Sequence, residues 1–332
     1  MGEFRSGFAA LAGRPNVGKS TLINALVGQK LSIVTPRPQT TRHRLIGLLN
    51  LPEAQIAFID TPGLHRGPRR ALNRAMNRTA AAALRDADVV LLLVEALRFT
   101  AEDELALRRS REAGRPIIAV VNKVDRVRPR ARLLPYISEL SARDSFLELV
   151  PVSAQKGENL AELVRVIAAA LPPGPALFPT DQLTDRSQSF RIAETIREKL
   201  TLELVEELPY GVAVEVEQIA VEPDGRKGIS AAIWVDRPGQ KPIVIGAGGQ
   251  RLRRVGRAAR LELNRLFGER FHLTLWVKVR AGWAGTLRQT SAMVKSSPRL
   301  TGSPSVAASR SASTTKRPAK SMAACRLIST AS

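Results

Sequence analysis

The stretch "GRPNVGKST" (residues 13–21) decides how the first half of the chain reads. It follows the apolar run "GFAALAG" and leads into "STLINALV", so it lies between a strand and a helix. It matches G-x-x-x-x-G-K-[ST], a loop whose backbone wraps phosphates at a helix N-terminus. Gly13 and Gly18 let the backbone close in, with Arg14, Pro15, Asn16 and Val17 between them. Lys19 is placed for the β- and γ-phosphates and the Ser20 hydroxyl for Mg2+, and Thr21 completes the nucleotide-binding stretch.

Around this loop, over residues 4–171, short apolar runs ("AQIAFID", "ADVVLLLVE", "RPIIAVVNK", "FLELVPVSA") alternate with helical stretches such as 19–27 and 70–84. Continuous apolar runs of that length are buried parallel strands, which predicts an α/β domain with a mostly parallel, doubly wound sheet. Every motif below falls at the C-terminal end of one of these strands, where open α/β sheets bind ligands.

Four companion motifs follow in the chain, in the order "PQTTRHR", "DTPG", "NKVD" and "VSAQKG". "DTPG" (residues 60–63) offers Asp60 to hold Mg2+ through water and the Gly63 amide to sense a γ-phosphate. "NKVD" (122–125) supplies Asn122, Lys123 and Asp125; the Asp125 carboxylate can accept both N1–H and N2–H of guanine, a pattern that adenine lacks. "VSAQKG" places a Ser153 and Ala154 backbone turn near the base, and "PQTTRHR" (38–44) puts Thr40 and Thr41 where a mobile segment could close over Mg2+. Taken singly, each has an ordinary reading: Asp60 as a turn residue, Asn122 as a helix cap, Thr40 and Thr41 as solvated loop. In this order at strand ends they specify a GTPase domain, and Asp125 selects GTP over ATP.

Leu64 stands after "DTPG", where Ras-like enzymes carry a water-orienting glutamine. The chemistry is therefore expected from Lys19, Thr41, Gly63 and Asn16. From inside the loop the Asn16 amide oxygen can hold a K+ against the phosphates, in the electrostatic part of an arginine finger. The alternative is that Asn16 only braces the loop.

Beyond residue 173 the pattern changes. "LPPGPALFPTDQ" (171–182) contains four prolines and denies the chain a helix or ladder, so 174–186 reads as a linker. A helix over 187–208 is expected to bury Phe190, Ala193, Ile196, Leu200 and Leu204. "GVAVEVEQIA" and "KGISAAIWVD" alternate like antiparallel strands around "PDG", and "FHLTLWVKV" reads as a last strand of a small antiparallel sheet, giving α-β-β-α-β. Before the second long helix stands another glycine loop, Gly246, Ala247, Gly248 and Gly249. No Walker lysine or base-reading motif accompanies it. A bare G-x-x-G turn instead lets a nucleic-acid strand pass closely. The helix behind it sets Leu252, Val255, Ala259, Leu263 and Leu266 opposite Arg251, Arg253, Arg254, Arg257 and Arg260, one face for the core and one for phosphate. Gly246, Ala247, Gly248, Gly249, Gln250, Arg251, Arg253, Arg254 and Arg257 are the candidate RNA contacts.

Composition agrees. The 332 residues carry 51 Lys and Arg against 30 Asp and Glu, a formal charge of +21 that favours a polyanionic partner, nucleic acid first and an acidic membrane surface second. Residues 281–332 hold eight of those basic residues and no acidic one, with many Ser, Thr, Ala and Pro; the tail is expected to be disordered. No apolar run reaches the roughly 18 residues of a membrane span, and no signal segment precedes the first strand, so a cytosolic protein is expected. The single cysteine, Cys325, excludes an internal disulfide and a cysteine-based zinc site.

The pieces "GRPNVGKSTLINALVGQKLSIV", "QTTRHR", "IDTPGLH", "NKVD", "VSA", "LPYGVAVE", "VIGAGGQRLRRVGRAAR" and "LWVKVRAGW" resemble the Era family of bacterial GTPases over residues of about 4–283. The resemblance implies a GTPase domain over 4–173, a type II KH domain of α+β class over 187–283 and a basic tail over 284–332. It also implies a monomeric, GTP-regulated factor in small-subunit ribosome assembly that binds near the 3′ end of the small-subunit ribosomal RNA, with a peripheral inner-membrane fraction. By motif position Lys19 and Ser20 serve phosphate and Mg2+, Thr41 the switch, Asp60 the Mg2+ shell, and Asn122, Lys123 and Asp125 the guanine. Two departures stand out. The family's glycine loop commonly carries a polar residue where this chain has Ala247 and Gly248, and beyond Trp283 the family ends quickly with an acidic stretch, whereas here the basic tail suggests a shifted frame or an extension. A membrane-associated switch whose basic surface reads anionic lipid remains the alternative.

Overall fold

The computed structural model describes residues 3–35, 44–61, 71–204, 212–222 and 225–281, with the backbone alone for 71–77. Six strands, β1 (Arg5–Ala12), β2 (Leu45–Asn50), β3 (Ala54–Asp60), β4 (Val89–Glu95), β5 (Ile117–Asn122) and β6 (Glu148–Pro151), form one sheet in the order β2-β3-β1-β4-β5-β6. Every pair is parallel except β2 with β3. The apolar runs are continuous because both faces are covered, and the two-residue period of a strand sorts them. Leu11, Phe58, Leu91, Leu93 and Val120 face α1 (Lys19–Val27) and α5 (Leu160–Ala170). Ala10, Ile59, Leu92, Val94 and Val121 face α2 (Ala71–Arg85), α3 (Ala101–Glu112) and α4 (Leu133–Ser141). The chain leaves β1 for β2 and β3 on one side and returns to β4 on the other, so the loop after β1 sits at the point where the strand order reverses.

Residues 174–186 connect the two halves without hanging loose. The Gln55 side chain donates to Phe178 O (2.8 Å) and accepts from Leu177 N (2.7 Å) and Phe178 N (2.9 Å). Phe178 meets Phe8 edge-on, with ring centroids 6.2 Å apart. Further on, Leu48 N donates to Leu183 O (3.0 Å) and Ile46 N to Asp185 Oδ1 (2.9 Å), covering outward donors of the edge strand β2. Prolines withhold N–H groups but not carbonyls, so a proline-rich segment can still be fastened by accepting.

The second half begins with α6 (Gln188–Glu203), capped by the Ser187 hydroxyl, which accepts from Phe190 N at 3.3 Å. It is shorter than the expected 187–208: Leu204 is already extended, and 205–211 lie outside the described residues. Its buried apolar face is Ile192, Ile196, Leu200 and Leu204, spaced by four. Phe190 and Ala193, expected in that face, are only half-buried, and Phe190 lies under the Arg186 guanidinium at 5.0 Å. Then come β7 (Ala213–Val221), β8 (Lys227–Val235), a short helix α7 (Gln240–Ile245), α8 (Gln250–Phe267) and β9 (Phe271–Val279). Strand β7 is antiparallel to β8 as expected, but β9 runs parallel to β8, Lys227 pairing with Phe271 and Val235 with Val279. The reason is length. The 18 residues of α8 span about 27 Å, nearly the length of a nine-residue strand of about 30 Å, and with α7 and the turns around it they return the chain to the starting end of β8. With α7 the order is α-β-β-α-α-β rather than α-β-β-α-β. Residues 192–277 close their own core, while residues 1–288 form one compact unit.

Candidate functional site

Strand β1 delivers the chain to Gly13 with φ 147°, and a Cβ there would come within 2.7 Å of Leu93 O on β4. The loop needs a hydrogen at that point to lie this close to the sheet. Val17 is fully buried and anchors the loop from below, whereas Asn16 is exposed at its bend with φ 60°. Lys19 is buried and turned back over the loop, Nζ donating to Gly13 O (2.8 Å) and Arg14 O (2.9 Å). Burial pushes its pKa down to about 8, with the Asp60 charge opposing. A buried cation so placed gains strongly from an entering phosphate. Pro15, Gly18, Ser20 and Thr21 are half-buried around it.

Arg14 faces away from this cradle. Its guanidinium pairs with Glu95 at the end of β4, and Nε donates to Asp103 Oδ2 at 3.2 Å. Asp103 is itself fixed by a capping box with Thr100 at the start of α3. Burial alone would raise the Glu95 pKa, but hydrogen bonds from Arg14 and Lys123 outweigh it and hold the carboxyl below its usual range. Arg14 is thus a brace for the loop. Neither carboxylate was singled out in the sequence, although "TAED" is a capping pattern and Glu95 stands at a strand end.

Asn122 joins three loops. Its Nδ2 donates to Val17 O (2.9 Å), and its Oδ1 accepts from Lys123 N (2.8 Å) and Ala154 N (3.0 Å). Lys123, at φ 67°, donates from Nζ to Asn16 O (2.9 Å) and pairs with Glu95 Oε1 (3.2 Å). Asp125 is half-buried in a short 3-10 turn, Val124–Arg126, and its Oδ1 accepts from the buried Ser153 hydroxyl at 2.7 Å, which sets the carboxylate's direction. Asn122, Lys123, Asp125, Ser153 and Ala154 are therefore gathered beside the phosphate loop, at the ends of β5 and β6.

At the opposite end of the loop, Ser20 Oγ donates to Asp60 Oδ2 (3.1 Å), and so does Ser32 Oγ (2.6 Å). Among the described residues no group of three or more His, Cys, Asp or Glu gathers for a metal. A hydroxyl and a carboxylate this close are still a fitting donor set for Mg2+, which takes few protein oxygens and completes its shell with water and substrate phosphates. Ser32 belongs to none of the nucleotide-binding motifs, although it lies in the stretch 13–34 that carries the family resemblance. It is placed by Asn24, whose side chain accepts from Leu31 N (2.8 Å) and Ser32 N (2.9 Å) and donates to Ser32 O (2.7 Å). Thr40, Thr41, Gly63 and Leu64 lie outside the described residues.

The second glycine loop forms a 3-10 turn, Ala247–Gly249, opening α8. Arg251 donates to Ile243 O, and Arg253 NH2 to Gly248 O at 2.8 Å, so these two side chains brace the turn. Arg254 pairs with Glu203 Oε2 at 2.9 Å. Gln250, Arg253, Arg254, Arg257 and Arg260 are exposed along α8, while Val255, Ala259 and Leu263 are buried. Leu252 and Leu266, expected in that core stripe, are half-buried. The loop and the exposed arginines make one basic edge around a bare turn.

The family described as 50S ribosome-binding GTPase matches residues 8–123, and the KH domain family matches 207–284. The chain is 51% identical over 278 residues to "GTPase Era" of Stenotrophomonas maltophilia (strain R551-3), covering 84% of this chain and 93% of that one. It is 47% identical over 278 residues to "GTPase Era" of Haemophilus influenzae (strain PittGG), covering 84% and 92%. A crystal structure of an Aquifex aeolicus Era variant bound to GDP and AlF4- superposes with a TM-score of 0.81 at 40% identity, over 85% of this chain and 96% of that one. Era in complex with MgGDPNP and nucleotides 1506–1542 of 16S ribosomal RNA gives 0.81 at 40% identity, over 85% and 95%.

Proposed function

This chain belongs to the Era family of GTPases, and from that membership we propose that it uses GTP binding and hydrolysis to control a grip on small-subunit ribosomal RNA, near the 3′ end, during assembly of the small subunit. The observation that carries the reading is that one compact unit holds both a guanine-type site, tied together by Asn122, and a bare glycine turn opening the arginine-lined α8.

The amides of residues 13–19 wrap the phosphates, and Lys19 meets their charge. Ser20 and Asp60 hold Mg2+, with Thr41 joining them from the switch segment. Mg2+ supplies neutralisation of charge on the phosphate oxygens when it is bound. The Asp125 carboxylate, directed by Ser153, accepts from guanine, and the Ala154 backbone lies beside the base. Gly63 senses the γ-phosphate. With Leu64 in place of a glutamine, water is oriented by other means, and Asn16 holds a K+ that adds positive charge at the phosphates. Hydrolysis is accordingly faster in KCl than in NaCl at equal ionic strength; equal rates would remove the cation from the account.

On the RNA side, the backbone of Gly246, Ala247, Gly248 and Gly249 lets one strand pass, and Arg253, Arg254 and Arg257 meet its phosphates. The deciding experiment is to crosslink the full chain to RNA and sequence what is bound, first with GTP and then with GDP. Enrichment of small-subunit ribosomal RNA in at least one state is expected, and its absence in both would overturn the reading. The same basic edge could carry a peripheral membrane fraction of an otherwise cytosolic, monomeric protein. Sedimentation with anionic vesicles at matched salt separates that arm. Among the described residues no helix is long and apolar enough to cross a membrane.

A further inference from the structure

We infer that residues 29–32 are the link through which the metal end of the nucleotide site and the KH domain respond to each other, with Ser32 a positioning residue for Asp60 and Lys30 a clasp on α6 and α8. This inference rests on the RNA-binding reading above for its partner, and on geometry for the link itself.

The segment leaves α1 at Gly28 and is fastened back to that helix by the three Asn24 hydrogen bonds described above. It therefore moves with α1, the helix whose first turn carries Lys19 and Ser20. At one end, Ser32 shares Asp60 Oδ2 with Ser20. Any change in how that carboxylate is used must redistribute these two hydrogen bonds, and Ser32 carries the change into the segment.

At the other end, Lys30 Nζ lies 2.7 Å from Glu198 Oε2 on α6 and donates to Glu262 Oε1 on α8 at 2.9 Å. Lys199 Nζ stands 4.0 Å and 3.9 Å from the same two carboxyl groups, which makes a four-charge cluster. Glu198 is only 4% exposed, so leaving its side chain without these partners would be costly. Burial would lower the Lys30 pKa and raise that of Glu262, yet the pairing outweighs burial, raising the first and lowering the second. The neighbouring residue joins the grip. Gln29 Oε1 accepts from Arg191 NH2 on α6 at 2.9 Å, and the Arg191 guanidinium lies over the Phe267 ring of α8 at 4.8 Å. Two adjacent residues of the GTPase domain thus hold both long helices of the KH domain, and α8 is the helix that the glycine turn opens.

Two sites joined by one stiff segment are thermodynamically linked, and the link acts in both directions. The test uses the full chain. Affinity for a single-stranded RNA oligonucleotide from the 3′ end of the small-subunit ribosomal RNA is measured by fluorescence anisotropy with Mg-GDP and with a Mg-bound non-hydrolysable GTP analogue. In the natural protein the two dissociation constants should differ by about fivefold or more. Lys30→Met combined with Glu198→Gln, which leaves no unpaired carboxylate on α6, should bring them within about twofold of each other while nucleotide affinity is unchanged; Lys30→Arg should keep the difference. Ser32→Ala should reduce the difference and also weaken the Mg2+ dependence of nucleotide affinity, which a merely structural serine would not do.

Hydrogen exchange of the α6 and α8 amides in the two nucleotide states supplies a readout without RNA. It should differ between states in the natural protein and coincide in the Lys30→Met, Glu198→Gln variant. If the natural protein ignores the oligonucleotide while this exchange response is present and abolished by the variant, the RNA reading fails and the link stands. Exchange that is indifferent to nucleotide, or a response that survives the variant, overturns the link.

Discussion

Asn122→Ala tests whether the nucleotide site is held together from one point. The wild-type side chain makes three hydrogen bonds, to Val17 O, Lys123 N and Ala154 N, at 2.9, 2.8 and 3.0 Å. It is 2% exposed, and its partners Val17 and Ala154 are 0% and 5% exposed, so water cannot easily replace what truncation removes. At about 1 kcal/mol for each bond, and somewhat more where a buried group is stranded, the loss is about 3–5 kcal/mol. If that appeared wholly in stability, melting would fall by about 6–12 °C; if wholly in binding, GDP affinity would fall by about 10²-fold or more. The reasoning requires both to fall, because the same bonds support the loops with and without ligand. Titration of a fluorescent GDP analogue, with thermal unfolding of the same preparations, gives the two numbers. Asn122→Asp separates the arms: it keeps the acceptor for Lys123 N and Ala154 N but loses the donor to Val17 O, so it should weaken the hold on phosphates more than it lowers melting. Asn122→Ala protein that binds GDP within twofold of wild type and melts within about a degree of it would refute the argument.

Asp125→Asn replaces an acceptor with a mixed donor and acceptor, so guanine loses the partner of one N–H; GDP affinity should fall by about 10²-fold, measured by calorimetry, and an unchanged value would mean that another group reads the base. The Glu95 carboxyl is held below its ordinary value of 4.5 by Arg14 and Lys123. Its contribution to stability is therefore full above that value and is lost as the pH falls through the depressed one. Glu95→Gln should flatten this part of the acid limb in melting curves taken from neutral pH downward, and a limb of unchanged shape would assign it to other carboxylates. Gly248→Lys restores a cationic side chain to the turn: RNA affinity should rise and become more salt-sensitive, at about 1 kcal/mol of backbone strain from φ +54°. No change in either would place the grip elsewhere.

The parts of the site that a local pattern specifies were legible in the chain. The phosphate loop is a contiguous spacing, "NKVD" follows an apolar run, and "GAGG" stands before an arginine-studded helix. What was not legible is made of partners far apart in sequence. Arg14 reaches its carboxylates 81 and 89 residues on, and Lys30 meets Glu262 across 232 residues. Charged residues give no periodicity to connect such pairs, and an arginine inside a phosphate loop looks like a phosphate ligand until its direction is known. The parallel pairing of β9 was hidden for a related reason. Alternation in "FHLTLWVKV" reports that one face is buried, not which way the neighbouring strand runs. Helix α6 misled by phase: Phe190 is the largest apolar residue near its start, but the face that packs is set by Ile192 and repeats every four residues.

The two glycine loops differ in what their missing side chains would meet, and this bears on what each is for. At Gly13 a Cβ would run into the carbonyl of Leu93 at 2.7 Å, so the bareness there serves internal fit, pressing the loop onto the sheet that feeds it. At Gly248 a Cβ would meet nothing within 4 Å. Internal packing therefore gives no reason for the absence of a side chain at Gly248. What remains is its left-handed backbone, which glycine adopts without strain, and the access that a bare turn gives to something from outside. The braces point the same way. Arg253 donates to the carbonyl of Gly248, and Arg251 donates back to Ile243, so the turn is kept rigid by its own arginines while its outer surface stays smooth. A rigid, bare turn beside exposed cations suits a chain that presents a regular backbone of phosphates and variable bases, because little of the turn's own freedom is lost on contact.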